Sequence, residues 1–286
     1  MTNIVYLGVL AFVLCFVATP LVRNLTRKLG FLDHPDRQRK FHPTPVPRLG
    51  GVAIAFSWVA SLGIFAFFVP TQSAVLLSAL DKISMIFPAA ALVFAIGVLD
   101  DLFELRPWQK LAGQLVAATW IYVLGLRIEV IAFTEIPGSH WVTFPLTVIW
   151  LLACTNAFNL IDGVDGLASG VGFFATVTMF LAALLAESAE LQLLTLPLAA
   201  ALLAFLRYNF NPASIFLGDS GSLLIGFLLG SFGIVWTQKS ATILGMTAPV
   251  LALGFPIAET VISIGRRFLR GAPIFGGTKA ISITVY

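Results

Sequence analysis

Apolar stretches that are long enough to cross a lipid bilayer recur along the whole chain and restrict the folds open to it. A transmembrane helix needs about 20 mostly apolar residues. Such stretches cover residues 3–22, 50–69, 83–99, 110–126, 142–158, 167–186, 191–206, 221–236 and 242–263. Only 11% of the 286 residues are charged, which leaves too little polar surface for a soluble domain. The alternation of barrel strands is not visible. The sequence therefore predicts an all-α, polytopic integral membrane protein with about nine spans and a single domain over residues 1–286.

The distribution of basic residues predicts which loops face the cytoplasm. Cytoplasmic loops of membrane proteins carry an excess of Lys and Arg. If the N-terminus lies outside, 14 of the 17 Lys and Arg residues fall in or beside alternate loops. Those loops are 23–49, 100–109, 159–166, 207–220 and the segment from 264 onward. We therefore expect the N-terminus outside and these five segments in the cytoplasm.

The same topology collects the acidic residues on one membrane face. Asp100 and Asp101 fall in the second cytoplasmic loop, Asp162 and Asp165 in the third, and Asp219 in the fourth. Acids at the membrane edge are costly to hold and usually mark functional sites. The alternative is that each acid only caps a helix or starts its first turn. Three independent caps would not need to share a face, so the functional interpretation is favoured.

The acids and their neighbours are suited to binding a metal ion and phosphate. Adjacent carboxylates such as Asp100 and Asp101 repel one another unless they share a cation or a proton. Mg²⁺ is commonly bound through one or two carboxylates and substrate phosphates. Asp219 is followed by a glycine-containing helix start, whose amides could face a phosphate. Asn156 and Asn159 lie on one helical face and offer neutral ligands for a metal or a base edge.

The first cytoplasmic loop supplies the opposite charge. Prolines stiffen the segment that runs from Arg39 to Gly51 and includes Arg48. These cations either bind a diphosphate or serve only the positive-inside bias and contact with anionic lipid, and the sequence leaves both open. Carboxylates for Mg²⁺, cations for phosphate and a location at the cytoplasmic edge together fit phosphoryl transfer between a soluble nucleotide and a membrane-held acceptor.

Four motifs in order resemble the polyprenyl-phosphate N-acetylhexosamine-1-phosphate transferase family, which is glycosyltransferase family 4. They are Pro47–Gly51, Leu99–Asp101, Asn156–Gly166 and Phe216–Ser222. The resemblance implies transfer of a sugar 1-phosphate from a UDP-sugar, most often UDP-GlcNAc, to undecaprenyl phosphate with release of UMP. It is closest to the bacterial branch that starts O-antigen and other lipopolysaccharide or cell-wall glycans. A multi-pass protein of the bacterial inner membrane is expected, in contact with membrane lipid, with a homodimer as a possible assembly and no nucleic acid partner.

The resemblance also implies roles for individual residues. Asp219 is expected to bind Mg²⁺, with Mn²⁺ as a possible substitute and Asn159 as a helper. Asp100 and Asp101 match the paired catalytic acids that orient or deprotonate the lipid phosphate, without an assignment of which does which. The remaining substrate-binding candidates are Arg48, Lys110, Asn156, Asn159, Asp162 and Asp165.

The chain departs from the family after Phe275. The family continues with an Asp, a His-x-His-His cluster and further spans, about eleven in all. Residues 277–286 can be encoded by a sequence whose shifted frame reads Asp-Lys-Gly-His-Ile-His-His-Arg-Leu. We therefore expect a frameshift or a sequence error near codons 276–277 and strongly impaired activity of this chain. Sequencing of the gene past codon 275 tests this expectation.

Two other functional classes remain open from the sequence. A membrane transporter would also use intramembrane acids, but the acids here lie at loop edges on one side, and only Glu259 lies within a predicted span. An inactive truncated remnant would bind nucleotide without turnover.

Overall fold

The fold is a bundle of helices, as the apolar pattern predicts. The computed structural model describes residues 2–33, 45–68, 74–131, 134–135 and 140–239, together with Gly254, Ala258 and Ile262. The helices are α1 (Thr2–Leu29), α2 (Gly50–Phe68), α3 (Ala74–Phe103), α4 (Pro107–Val123), α5 (His140–Ile161), α6 (Leu167–Leu185), α7 (Ala189–Asn209) and α8 (Gly218–Lys239). Four two-residue strands accompany them: β1 (Leu32–Asp33), β2 (Val46–Pro47), β3 (Val130–Ile131) and β4 (Thr134–Glu135).

Seven of the described helices are long and apolar enough to cross a membrane, which confirms the all-α, polytopic prediction. The helix without a qualifying span is α4, which has 17 residues and begins at Pro107, close to the predicted start at 110. The predicted span 242–263 lies outside the described residues except for three single positions. The predicted total of nine spans is therefore not established.

Helices α7 and α8 form the interior of the bundle. In its most apolar window, α8 is 94% buried and α7 is 72% buried, whereas the other spanning helices are 33–44% buried. A helix that is apolar on all sides is expected to be surrounded by other helices. Helices α2, α3 and α5 pack on α8, while α1, α2 and α6 pack on α7. The outer helices present their remaining apolar surface outward, as expected for a protein in lipid.

Short strand pairs occur at both ends of the bundle. Strand β1 pairs with β2 in antiparallel register, so the first predicted cytoplasmic loop returns close to its start. Strands β3 and β4 form an antiparallel pair within the segment 127–141. The middle of the first loop, residues 34–44, lies outside the described residues.

The helices around the predicted site extend further than the apolar stretches. Helix α3 runs through Asp100 and Asp101, α5 runs through Asn159, and α8 begins before Asp219. The sequence had placed these residues in loops or at their edges. The difference has a physical reason: contacts with other helices satisfy the polar groups at these helix ends, so the helices continue past the apolar residues.

Candidate active site

Four segments that the topology predicts to be cytoplasmic meet at one end of the bundle. The amide of Phe216 donates to the carbonyl of Pro47 at 2.8 Å, and the amide of Gly50 donates back to the carbonyl of Phe216 at 3.0 Å. The first loop is therefore bonded to the loop between α7 and α8. One carboxylate oxygen of Asp165 accepts from the amide of Ala213 at 2.9 Å and from the side chain of Asn211 at 3.3 Å. This contact joins the α5–α6 loop to the same place.

Asp101 joins the end of α3 to the beginning of α8. Its two carboxylate oxygens accept from the backbone amides of Asp219, at 2.8 Å, and Ser220, at 3.0 Å. A carboxylate is stabilised by the unpaired amides and the positive end of a helix dipole. Of the amides after Asp219 that were expected to face a phosphate, that of Ser220 instead donates to Asp101.

Close backbone packing allows this junction. A Cβ atom on Gly97 of α3 would lie 2.5 Å from the carbonyl oxygen of Asp219, and one on Gly51 of α2 would overlap the backbone of Gly221. Gly218 has a φ of 74°, and a Cβ atom there would lie 2.6 Å from a carboxylate oxygen of Asp101. Only glycine fits these positions without displacement of a neighbour. The start of α8 is thus held against α2 and α3.

Lys110 lies between two carboxylates from different helices. Its ammonium nitrogen is 2.5 Å from Oδ2 of Asp100 and 2.5 Å from Oδ2 of Asp219. The other oxygen of Asp100 accepts from the amide of Leu105 at 2.8 Å, which orients the carboxyl group. All three charged side chains are partly buried. Three helices therefore contribute charge to one point.

The two asparagines of α5 lie at different depths. Asn159 donates to the hydroxyl of Ser222 at 3.2 Å and also hydrogen-bonds to Asp219, which places it beside the charged groups. Asn156 lies about one helical turn further from the helix end. It donates to Oε1 of Gln114 at 2.7 Å and to the carbonyl of Leu152 at 2.8 Å. The two asparagines lie on one helical face as predicted, but Asn159 contacts the charged residues and Asn156 contacts Gln114, one turn deeper in the bundle.

Asp162 lies just past the end of α5 and belongs to the same electrostatic cluster. The amide of Gly218 donates to its carboxylate. Burial, together with the negative charges of Asp219 and Asp101, raises the pKa of the Asp162 carboxyl well above its ordinary value. The cluster therefore contains more negative charge than its surroundings easily accommodate.

Arg48, one of the predicted substrate-binding residues, makes an ion pair within the predicted first cytoplasmic loop. Its guanidinium group forms an ion pair with the buried carboxylate of Asp33, across the β1–β2 pair. The contact ties the first loop to the end of α1. Among the described residues, the observed role of Arg48 is thus to hold the first loop in place.

The interactions that join the cluster involve four carboxylates, those of Asp100, Asp101, Asp162 and Asp219, and one ammonium group, that of Lys110. Among the described residues, no group of three or more His, Cys, Asp or Glu side chains is arranged to hold a metal ion by itself. A Mg²⁺ site does not require such a group, because this ion is usually bound by one or two carboxylates and by substrate phosphates. The excess negative charge and the nearby amide of Asn159 fit that kind of site.

Gln114 and Ser222 are polar residues of the site that the sequence interpretation did not select. Gln114 lies four residues after Lys110 on the same face of α4, and it is 1% exposed. Ser222 is fully buried one position after Gly221. A lone glutamine in an apolar stretch, spaced one helical turn from a charged candidate, was the signal that could have identified Gln114.

Comparison with known proteins identifies the family of this chain. A model of the family described as glycosyl transferase family 4 matches residues 83–237, a range that includes Asp100, Lys110 and Asp219. A probable undecaprenyl-phosphate N-acetylglucosaminyl 1-phosphate transferase of Bacillus subtilis (strain 168) is 34% identical over 98% of this chain and 76% of its own length. The chain belongs to glycosyl transferase family 4. The family expected from the four motifs is thereby confirmed.

Two further proteins are similar to this family 4 member. An undecaprenyl-phosphate alpha-N-acetylglucosaminyl 1-phosphate transferase of Thermotoga maritima is 33% identical over 90% of the chain and 73% of its own length. A phospho-N-acetylmuramoyl-pentapeptide-transferase of Shouchella clausii (strain KSM-K16) is 30% identical over 95% of the chain and 87% of its own length. Both similarities extend over most of the helical bundle of this family 4 member, including its charged end.

Proposed function

We propose that this family 4 protein transfers a sugar 1-phosphate from a UDP-sugar to undecaprenyl phosphate and releases UMP. The relatives in Bacillus subtilis and Thermotoga maritima are named as transferases of this type, which supports this reaction. The observation that carries the proposal is the pairing of Lys110 with both Asp100 and Asp219 at one end of a membrane bundle. Charged side chains at the edge of a membrane have a high free-energy cost, and such clusters are typical of a reaction site.

The reaction exchanges one phosphoryl bond for another. An oxygen of the lipid phosphate forms a bond to the phosphorus that carries the sugar, and the bond from that phosphorus to the oxygen of UMP breaks. The protein must position two anionic substrates and reduce their mutual repulsion. A cluster at the end of a membrane bundle is reachable from water by the nucleotide and from lipid by the acceptor.

Asp219 and Asn159 are the residues that we propose to hold Mg²⁺, with Mn²⁺ as a substitute. When bound, the ion would neutralise charge on the diphosphate and orient it. Lys110 contributes a second positive charge beside Asp219. Asp162 and Asp165 lie on the loop next to this position and are the proposed nucleotide-side residues.

The geometry favours different tasks for the paired acids. Asp101 accepts from two amides of α8, so we assign it a positioning role that fixes the backbone of Asp219. Asp100 contacts Lys110 and is the better candidate to orient or deprotonate the lipid phosphate. This division is our proposal for the two acids that the motif alone left equivalent.

The proposed setting is the inner membrane of a bacterium, with the charged end of the bundle facing the cytoplasm. The positive-inside distribution supports this orientation. Initiation of a cell-envelope glycan follows from the proposed lipid product. UDP-GlcNAc is the proposed donor, because the relatives in Bacillus subtilis and Thermotoga maritima carry N-acetylglucosaminyl in their names.

The test is release of UMP from UDP-GlcNAc in the presence of undecaprenyl phosphate and Mg²⁺. We would assay the 286-residue chain and a restored-frame version, in which the shifted frame after codon 276 encodes the histidine cluster of the family. UDP-MurNAc-pentapeptide serves as the alternative donor. UMP release that depends on the lipid phosphate supports the proposal. Flux of a lipid-linked sugar across liposomes without UMP release would instead favour the transporter, and nucleotide binding without turnover in either form would favour an inactive protein.

A further inference from the structure

The side-chain amide of Gln114 is buried beneath the charged cluster and only half satisfied. Its oxygen accepts from Asn156 at 2.7 Å. Its nitrogen, Nε2, is buried and has no hydrogen-bond partner among the described residues. A buried donor without a partner bears the full cost of its lost hydration, so such groups usually have a partner in the functional state.

The position of Gln114 relates this donor to the site. It lies four residues after Lys110 on α4, which corresponds to about 6 Å along the helix axis and the same helical face. Asn156, its partner on α5, precedes Asn159 by three residues, and Asn159 contacts Ser222 and Asp219. Gln114 and Asn156 therefore form an amide layer one turn deeper in the bundle than the charged layer.

We propose that Nε2 of Gln114 binds a phosphate oxygen of the membrane-held acceptor. The inference rests on the proposed function and adds a substrate-binding residue to it. A nucleotide reaches the charged layer from water, whereas a lipid phosphate approaches from the side of the hydrocarbon. The donor that lies deeper in the bundle is therefore the one placed for the lipid substrate. The bond from Asn156 holds the amide so that its nitrogen, and not its oxygen, is left for the ligand.

Gln114→Glu is the sharpest variant, because glutamate keeps an oxygen for Asn156 and replaces the unpartnered donor with an oxygen that, when ionised, carries negative charge and cannot donate. The measurement is the binding of undecaprenyl phosphate to the purified 286-residue chain in nanodiscs, followed by intrinsic tryptophan fluorescence. Binding of UDP-GlcNAc with Mg²⁺ is measured in parallel by calorimetry. We expect the affinity for undecaprenyl phosphate to fall about tenfold or more, as for loss of a hydrogen bond to a charged group. The affinity for UDP-GlcNAc should stay within about twofold, because a change in a contact to one substrate has little effect on the affinity for another substrate that uses separate contacts.

Gln192→Glu is the matched control. Gln192 is also a buried glutamine, and its amide nitrogen donates to the carbonyl of Ala183 at 3.2 Å on another side of the bundle. This variant should lose thermal stability without a change in affinity for undecaprenyl phosphate. Gln114→Leu, which removes both amide atoms, should lower affinity for undecaprenyl phosphate as Gln114→Glu does.

The outcomes separate this inference from the proposed function. Wild-type affinity for undecaprenyl phosphate in Gln114→Glu would overturn the inference and indicate that Nε2 faces an internal water. An equal loss of affinity for UDP-GlcNAc would also overturn it, because Gln114 would then support the whole site. If the wild-type chain and the restored-frame version both fail to bind undecaprenyl phosphate, the proposed function itself fails.

Discussion

The two ends of the bundle differ in how their charged side chains are paired. At one end, Lys110 bridges Asp100 and Asp219, which come from separate helices. At the other end, Arg127 pairs with Glu129 only two positions away, at 2.5 Å. There the hydroxyl of Tyr122 also hydrogen-bonds to the ring of His140 at 2.7 Å and to the hydroxyl of Thr143 at 2.8 Å.

The difference lies in charge balance and in sequence separation. The Arg127–Glu129 pair is locally balanced, and its side chains are 34% and 48% exposed, so we expect it to have little effect on the free energy of unfolding. The other end contains an excess of carboxylates and joins residues more than a hundred positions apart. A protein gains no stability from an unbalanced, partly buried cluster. We therefore interpret the charged end as the part of the molecule maintained for chemistry, and the opposite end as structural.

The largest effect is expected for Asp219→Asn in the restored-frame enzyme. This change removes the proposed metal-binding charge while it preserves the shape of the side chain. Loss of several kcal/mol of transition-state stabilisation corresponds to about a thousandfold or more in rate. UMP release measures it. Glu129→Gln, at the opposite end, should retain wild-type turnover, and near-normal turnover of Asp219→Asn would remove Asp219 from the metal role.

A somewhat smaller effect is expected for Lys110→Met, which keeps most of the side-chain length but removes the bridging charge. The rate of UMP release should fall about 10²- to 10³-fold, as for loss of one preorganised electrostatic group. Without the ammonium, Asp100 and Asp219 repel one another, so the melting temperature measured in EDTA should fall. Added Mg²⁺ should restore more of that loss in the variant than in the wild type. Equal responses to Mg²⁺ would contradict the proposed shared charge balance.

Asp162→Asn tests the excess of negative charge through stability. The pKa of Asp162 is raised above its ordinary value of 3.8, so the native state resists ionisation of this group more than the unfolded state does. The resulting penalty grows as the pH rises from about 4 through the raised pKa. Without divalent cations, the variant should melt higher than the wild type at neutral pH, by about 2–4 °C per kcal/mol regained. The difference should vanish near pH 4, and a lower melting temperature of the variant at neutral pH would contradict the assignment.

The smallest effect is expected for Arg127→Gln at the opposite end. The Arg127–Glu129 pair is exposed to solvent, so its loss should change the free energy of unfolding by about 1 kcal/mol or less. Turnover and substrate binding should not change. Thermal unfolding and UMP release measure the two quantities. A tenfold loss of turnover would show that this end also contributes to the site and would remove the contrast between the two ends.

Much of the composition of the site could be predicted from the sequence, because the patterns that indicate it are periodic or lie within short segments. Apolar stretches locate the helices, the alternation of loops collects the acids, and the motifs around Asp100, Asn159 and Asp219 indicate the family. The capping of α8 by Asp101 could not be predicted, because it joins residues 118 positions apart. The pairing of Arg48 with Asp33 depends in the same way on how the first loop folds back. Gln114 is a lone glutamine one helical turn after Lys110, but its role in the site follows from its contact with Asn156 on another helix, which the sequence does not show.

The central claim is that Asp219 and its neighbours hold a divalent cation together with the nucleotide sugar. Mn²⁺ binding followed by electron paramagnetic resonance tests this directly and does not depend on turnover. Titrations would use the wild-type chain, Asp219→Asn and Glu129→Gln, each with and without UDP-GlcNAc. We predict Mn²⁺ binding that is strengthened by UDP-GlcNAc in the wild type and in Glu129→Gln, and lost in Asp219→Asn. Equal Mn²⁺ binding by all three proteins would contradict the account.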